Sequence, residues 1–221
     1  MKRSLVFFAL AVVPVLAADF ADRLTDSAAM FEEIMTAKDR SIPQDLLEKS
    51  QCVILVPGMK KAAFGIGAKF GRGFAVCRKM SGTGWGNPGA VRVEGGSFGF
   101  QIGVSSTDVI MLVMNKRGMD KLLQSKFTLG ADASVAAGPV GRETSAQTDA
   151  LMSAEILSWS RSKGLFAGIA LNGATLRNDL DTNKDMYGQR WTNKEVMDSA
   201  AAAPPSAERL LTNLNKYSMK K

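Results

Sequence analysis

The chain has 221 residues, a formal net charge of +7 and a hydrophobic content of 46%, which is an ordinary globular composition. It contains no histidine, so every catalytic or metal centre that depends on an imidazole is excluded. Its 2 cysteines cannot hold a zinc ribbon or an iron–sulfur cluster, and they permit one disulfide bond. We therefore expect a single domain that is not an enzyme and carries no cofactor.

The N-terminus has the three parts of a secretory signal peptide. Lys2 and Arg3 precede an apolar run over residues 5–16, and Ala17-Ala18 supply the small residues of a cleavage region. The run is shorter than the roughly 20 residues that cross a bilayer. We predict a signal peptide over residues 1–17 and an exported protein, periplasmic or secreted, with an uncleaved N-terminal anchor as the alternative.

The two cysteines leave two interpretations open. Export makes a bond between Cys52 and Cys77 chemically feasible. Both lie in apolar runs typical of strands, 52–56 and 74–77, where cysteine often serves as a small buried side chain. A disulfide also requires a short Cα separation, which the sequence does not supply.

Apolar residues from Phe20 to Met35 recur at helical spacing, and charged residues of both signs fill the other positions. We predict an amphipathic helix over residues 20–38. Its apolar face either contacts a membrane or partner, or docks on the domain's own core, and the mixed polar face favours docking.

After a short helix predicted over residues 43–49, glycines concentrate between Gly58 and Gly173. Several apolar runs in this region are joined by short turns, which favours antiparallel pairing. The predicted strands are 51–57, 62–70, 73–79, 90–94, 97–104, 107–114, 151–159 and 163–171.

Two of these segments, 64–71 and 98–104, place large apolar residues on one face and glycine on most of the other. A bare glycine face weakens a strand unless backbone packs directly on it or the sheet bends sharply. We therefore predict an α+β fold with a mainly antiparallel, strongly curved sheet or barrel-like core. The N-terminal amphipathic helix and helices at 116–125 and 206–217 flank it.

Three short motifs resemble known functional loops. Gly95–Gly99 matches the G-x-S-x-G nucleophile elbow, but the chain has no histidine base and no helical pattern follows. Gly65–Gly67 resembles a dinucleotide-binding loop but continues as a strand. Asp179–Asp185 spaces its oxygens like an EF-hand, yet Lys184 replaces the required glycine and Arg190 the bidentate glutamate. We predict a capped polar loop there, with a weak calcium site as the alternative, and assign no metal site.

Basic residues occur in several predicted loops, where they could combine into a patch that binds phosphate groups. A scattered, solvated surface is the alternative. Nucleic acid is not an expected partner, because the aromatic content is 7% and no recognition motif is present. The candidates for a phosphate-binding patch are Lys60, Lys61, Arg72, Arg161 and Lys163.

A series of short motifs runs through residues 42–188. They are Ile42-Pro43, Val53-Ile54-Leu55-Val56-Pro57, Gly71-Arg72-Gly73, Gly84-Trp85-Gly86-Asn87-Pro88, Gly95–Gly103, Ser158–Gly168 and Tyr187-Gly188. In this order they resemble the SYLF domain family, and the Ser-Arg-Ser-Lys-Gly-Leu-Phe-Ala-Gly block is the most specific. Trp159 stands where the family often has tyrosine.

The resemblance implies a lipid-binding module over residues 18–191, followed by a linker and helix over residues 192–221. Eukaryotic members of this family bind phosphoinositides and, in yeast, bind and bundle actin. Bacterial members are mostly exported, and the predicted signal peptide places this chain with them.

We therefore expect the five basic candidates to bind anionic phospholipid head groups at a membrane surface, supported by an apolar contact from a helix face. The alternative is a structural or interaction protein of the cell envelope that binds a protein partner or an acyl chain. Salt distinguishes the two, because head-group binding weakens steeply as ionic strength rises and apolar contact does not.

Overall fold

The computed structural model describes residues 16–37, 41–79, 83–140, 153–162, 165–169 and 171–218. The signal peptide predicted over residues 1–17 lies almost entirely outside the described residues. Among the helices of the described part, none is long and apolar enough to cross a membrane.

Helices flank a curled sheet. They are α1 (Leu16–Thr36), α2 (Gln44–Lys49), α3 (Lys116–Leu122), α4 (Leu180–Tyr187), α5 (Asn193–Asp198) and α6 (Glu208–Ser218), with a 3-10 turn at Pro205–Ala207. The predicted N-terminal and C-terminal helices are confirmed by α1 and α6, and the helix predicted over 116–125 by α3.

The strands are β1 (Cys52–Cys77), β2 (Gly89–Val113), β3 (Lys126–Thr128), β4 (Val135–Ala137), β5 (Ile156–Ser162), β6 (Leu165–Gly168) and β7 (Thr175–Asn178). β1 and β2 form a long antiparallel ribbon. On β2, residues 108–113 also pair with β5 and residues 91–94 with β7. The described strand pairings are antiparallel except that of β4 with β5.

The separate strands predicted between residues 51 and 79 are one continuous strand, and those between 90 and 114 are another. That part of the prediction is wrong. Irregularities of register between Val56 and Met59 and between Phe64 and Ile66 are absorbed within the ribbon, because a bulge bends a strand without ending it.

The first irregularity changes which face each residue occupies. Gly58 adopts a φ of 59°, and its N–H donates a hydrogen bond of 2.8 Å to Oδ1 of Asp108. An extra residue here shifts the alternation of β1 by one position, so Ile54, Val56 and Met59 all reach the same core cluster.

β1 doubles back on itself until its two ends meet. A Cβ atom on Gly73 would lie 1.9 Å from the carbonyl oxygen of Leu55, and one on Gly71 would lie 2.6 Å from Cγ1 of Val56. Glycine is required at both positions because any side chain would overlap the facing part of β1. The strongly curved sheet predicted from the glycine faces is confirmed, since the sheet curls into a half-barrel.

A disulfide bond fastens this closure. It joins Cys52 and Cys77, the first and last residues of β1, which are 25 positions apart. Next to it, the N–H of Arg78 donates a hydrogen bond of 2.9 Å to the carbonyl oxygen of Gln51. The bridge, and not a pair of buried thiols, is therefore the interpretation that the structure supports.

Each face of the sheet packs on its own apolar cluster. The outer core, against which α1 and α6 pack, joins Leu55 and Phe74 of β1 with Phe31 of α1 and Leu210 of α6. The inner core lies within the curl and includes Val56, together with side chains from α3, β3 and β7.

The predicted C-terminal linker and helix, residues 192–221, packs on these cores up to the last described residue. Val196 of α5 and Leu214 of α6 are fully buried. At the end of α6, Oγ of Ser218 accepts a hydrogen bond of 2.8 Å from Nε1 of Trp85, which lies between β1 and β2. This segment is therefore part of the packed body.

Candidate functional site

The basic residues predicted to bind phosphate have different surroundings. On β1, Lys60 is exposed, whereas Lys61 and Arg72 are half-buried. Arg161 lies half-buried on β5, and Lys163 lies outside the described residues. The contacts of each residue decide whether its charge can reach an anion.

Arg161 is engaged by two carboxylates. Its Nε donates a hydrogen bond of 2.7 Å to Oδ2 of Asp108, and its guanidinium also pairs with Glu33 of α1. The group faces a cleft of about 450 Å³ in which acidic residues outnumber basic ones and include Asp19, Asp22 and Asp26. These carboxylates would repel a phosphate, so Arg161 serves to fix α1 to the sheet.

Arg72 compensates a buried charge. Its Nε lies 3.5 Å from Oδ2 of Asp179, and Arg92 approaches Oδ1 of the same carboxylate at 3.4 Å. The Asp179 side chain is only 1% exposed. Because an unpaired buried carboxylate is costly, withdrawing Arg72 toward a lipid phosphate would destabilise the body.

The same aspartate overturns the prediction for residues 179–185. Asp179 caps α4 by accepting a hydrogen bond of 3.4 Å from the N–H of Thr182, and Gly188 ends the helix with a φ of 76°. Successive helical residues point in different directions, so the EF-hand spacing does not converge on one point. The capped loop and the weak calcium site are both wrong. Among the described residues, no cluster of acidic or cysteine side chains could hold a metal ion.

The two glycine motifs lie inside the ribbon. Gly95–Gly99 is part of β2, where Ser97 pairs with Gly67 of β1. Neither motif opens a helix, which a nucleophile elbow and a dinucleotide-binding loop both require. The rejection of both motifs from sequence context is therefore confirmed.

The middle of the ribbon, which we call the arm, extends beyond the other strands. It comprises residues 60–70 of β1 and 95–106 of β2, a stretch where the described pairing joins these two strands only to each other. Its sequence contains Lys60, Lys61 and Lys69 and no acidic residue, and Glu94, the partner of Phe70 at the base of the arm, is paired with Arg177. The arm is therefore a cationic extension of the sheet.

The doubling of β1 brings two of these lysines within electrostatic reach. Burial lowers the pKa of Lys69 below its ordinary value, and the positive charge of Lys61 lowers it further. Both residues follow the same alternation of the strand and share one face of the arm. An anion bound between them would relieve their repulsion.

The opposite face of the arm is apolar and exposed. Alternation carries this face outward from Phe74, which lies in the outer core, past Arg72 to Phe70, Ala68 and Ala62, and Lys60 follows on the same face. Phe70 is 46% exposed, and Val104, which pairs with Ala62, is 81% exposed. The face therefore continues the outer-core face of the sheet past the helices that cover it.

The apolar face of α1 is not available for a membrane. Leu24, Phe31 and Ile34 are each 0% exposed in the outer core. Of the two roles considered for this helix, docking on the domain's own core is confirmed. The expected apolar contact from a helix face is therefore wrong for α1.

Sequence reasoning missed Lys69, Phe70 and Val104 as candidate site residues, because they lie in predicted strands and not in loops. A signal for this region was present: residues 49–93 contain no acidic residue, which is the longest such stretch in the predicted domain. A search for long stretches of one charge sign would have identified the arm.

Comparison with protein families matches residues 94–217 to the family described as Ysc84, Las17-binding protein actin regulator. This match covers more than half of the chain and extends from the start of the arm's β2 segment to the penultimate residue of α6.

Known proteins with similar sequences come from fungi and mammals. "Protein YSC84" of Saccharomyces cerevisiae is 30% identical over 176 residues, covering 78% of this chain and 37% of the yeast protein. "SH3 domain-containing YSC84-like protein 1" of Rattus norvegicus is 30% identical over 183 residues, covering 82% of this chain and 53% of the rat protein. "LAS seventeen-binding protein 3" of Saccharomyces cerevisiae is 30% identical over 175 residues, covering 78% of this chain and 38% of the yeast protein. The chain thus spans between about a third and a half of these relatives.

Proposed function

We propose, because this chain belongs to the Ysc84 (SYLF domain) family, that it is a non-enzymatic module that binds anionic phospholipid head groups at a membrane surface. The observation that carries the proposal is the arm, which presents Lys60, Lys61 and Lys69 without an acidic residue in its sequence. The actin regulation in the family description belongs to proteins of which this chain covers only part, so we do not transfer it.

Electrostatic attraction to head groups is the proposed mechanism. Each basic residue near an anionic leaflet contributes about 1 kcal/mol, so the three lysines of the arm together contribute about 3 kcal/mol at low salt. The attraction weakens within a Debye length of roughly 10 Å at 0.1 M salt. Arg72 and Arg161 are assigned supporting roles, because carboxylates of the body already pair with them.

We also propose that the protein is exported, to the periplasm or outside the cell. The disulfide between Cys52 and Cys77 supports this location, since such bonds persist in oxidising compartments. The predicted signal peptide supports it independently.

The proposal is tested by cosedimentation with liposomes of phosphatidylcholine alone, with added phosphatidylglycerol, and with added phosphoinositide, each at two salt concentrations. The chain from Ala18 should bind both anionic liposomes and lose binding at the higher salt. The double variant Lys60→Glu, Lys61→Glu should bind at least about tenfold more weakly, because attraction becomes repulsion.

A charge-matched control separates a local site from net charge. Lys126 on β3 and Lys184 on α4 are exposed and lie outside the arm. The double variant Lys126→Glu, Lys184→Glu changes the net charge equally and should retain binding. Equal losses in the two double variants would show that overall charge, and not the arm, is responsible.

A protein partner in the cell envelope is the second candidate. The name of one relative, LAS seventeen-binding protein 3, states that this relative binds a protein. If none of the three liposomes cosediments with the chain, head-group binding is refuted and this candidate takes its place.

A further inference from the structure

We propose that the arm inserts its outer apolar face into the interfacial layer of an anionic bilayer while its lysines stay at the level of the phosphates. The inference rests on the proposed function. It identifies the arm as the segment that enters the lipid and the interfacial layer as the depth that the arm reaches. A bilayer interface is the one partner to which the proposal commits.

The first support is the uncovered apolar surface. At the ends of the ribbon, the outer face is packed under α1 and α6, and Phe74 is 0% exposed. In the arm the same face has no described helix over it, and Val104 is 81% exposed. Val104 pairs with Ala62, which is also exposed, and contiguous exposed apolar surface marks an interaction site.

The second support is the positive charge beside the exposed apolar strip, which consists of Ala62, Ala68, Phe70 and Val104. Lys60 lies next to the strip, and Lys61 and Lys69 lie on the other face of the same strands. Lysine side chains bury their methylene groups along apolar surface while the ammonium reaches the phosphates. Apolar and basic residues combined on one surface are typical of proteins that lie in a membrane interface.

The same lysines argue against a protein as the occupant of the strip. The cores of protein–protein interfaces are depleted in lysine, and aromatic residues and arginine are enriched instead. An anionic bilayer favours lysine at its surface, because it supplies a phosphate for each ammonium group.

Backbone hydrogen bonding limits the depth of insertion. In the arm, β1 and β2 pair with each other and with no other described strand, so the outer edge of each strand presents N–H and C=O groups. In the hydrocarbon layer these groups would have no partner, at a cost of several kcal/mol each. Water and head groups satisfy them at the interface, so the arm lies in that layer and does not span the bilayer.

The test places a tryptophan in the arm. Val104→Trp, in the chain from Ala18, is mixed with vesicles of phosphatidylcholine and phosphatidylglycerol, with and without lipids brominated near the glycerol end of the acyl chain. Because the chain has 3 native tryptophans, the signal is the difference from the unchanged protein. We expect a blue shift of the emission and strong quenching by the brominated lipid.

Leu165→Trp is the matched control. Leu165 is also a large exposed apolar residue, 59% exposed, but it lies on β6 and not in the arm. Its tryptophan should show neither the shift nor the quenching. Equal quenching at both positions would refute insertion through the arm.

A second variant measures how much the contact contributes. Val104→Ser removes apolar surface without changing charge, and it should weaken vesicle binding about threefold to tenfold. If the unchanged protein binds vesicles but Val104→Trp is not quenched, the proposed function stands and insertion is refuted. A blue shift of Val104→Trp that depends on protein concentration without vesicles would show pairing of two arms and would also refute it.

Discussion

The two ends of the β1–β2 ribbon and the arm between them share one continuous backbone pairing, yet their side chains have opposite surroundings. At the ends, Leu55 and Phe74 are fully buried, and Gly73 lies against the backbone of the opposite end. In the arm, Val104 and Phe70 are exposed. The alternating pattern is the same in both regions, so alternation alone does not determine burial.

The two regions differ in whether other elements pack on the ribbon. Both faces of the ribbon ends are packed against helices or the inner core, whereas the arm extends past α1 and α6. Apolar residues in the ends therefore stabilise the fold, and apolar residues in the arm are free to contact a partner. Substitutions with the same chemistry should have different consequences in the two regions.

The largest contrast is expected between two glycine-to-alanine substitutions. Gly73→Ala would place a methyl group 1.9 Å from the carbonyl oxygen of Leu55, and backbone cannot move aside as a side chain would. We expect the free energy of unfolding to fall by at least about 3 kcal/mol. In the arm, a Cβ on Gly96 would have its nearest neighbour at 3.9 Å. Gly96→Ala should therefore change the free energy of unfolding by less than about 1 kcal/mol.

Urea denaturation of the two glycine variants measures this contrast. Similar losses in both would show that the arm is packed as tightly as the ends of the ribbon. A stable Gly73→Ala protein would show that the close approach of the two ends of β1 is not required for folding.

Removing the disulfide should have the next largest effect on stability, and this effect should be confined to the two ends of the ribbon. Replacing both Cys52 and Cys77 by alanine removes a covalent link across 25 positions, which lowers the free energy of unfolding by about 3 kcal/mol through the greater entropy of the unfolded chain. Mild reduction of the unchanged protein is the control, since it breaks the link without deleting atoms. Vesicle binding below the melting temperature should be unaffected, and a loss of binding in the folded variant would contradict the separation of the two regions.

The smallest expected effects distinguish a basic residue that stabilises the fold, Arg161, from one that binds the membrane, Lys60. Arg161→Gln removes the ion pairs to Asp108 and Glu33 and should lower the free energy of unfolding by about 1 kcal/mol, with little change in vesicle binding. Lys60→Gln should do the reverse, with stability changed by less than about 0.5 kcal/mol and binding weakened. Thermal unfolding and cosedimentation of both variants measure the two effects, and weaker vesicle binding by Arg161→Gln would return that residue to the site.

Much of the fold was predictable because it follows from local periodicity. The apolar repeat from Phe20 to Met35 predicts α1 and its docking, and the glycine faces predict the strong curvature of the sheet. The length of β1 was not predictable, because Gly58 resembles a turn signal and is instead a bulge within the strand. Residues 179–185 were read as a loop because their spacing of acidic residues resembles a metal-binding loop, whereas the cap at Asp179 starts a helix.

The candidate site was predictable only in part, because charge availability depends on tertiary contacts. Lys60 and Lys61 were identified from sequence, and both lie in the arm. Nothing in the local sequence of Arg72 or Arg161 indicates the distant carboxylates that engage them, such as Asp179 and Glu33. Lys69 belongs to the clustered basic residues of the sequence but was not among the five candidates, because it lies in a predicted strand and not in a loop.

The closure of β1 also has a mechanical consequence. Because the bond between Cys52 and Cys77 makes a closed covalent ring of β1, half of the arm belongs to that ring. A force that pulls the arm away from the body can extend this ring only until it is taut, when its far end lies about 40 Å from the disulfide at roughly 3.3 Å per residue. The strand is already close to that length because its residues are extended. Beyond that length the tension is carried by a covalent bond, so the arm acts as a tether whose maximum reach is set by the position of two cysteines.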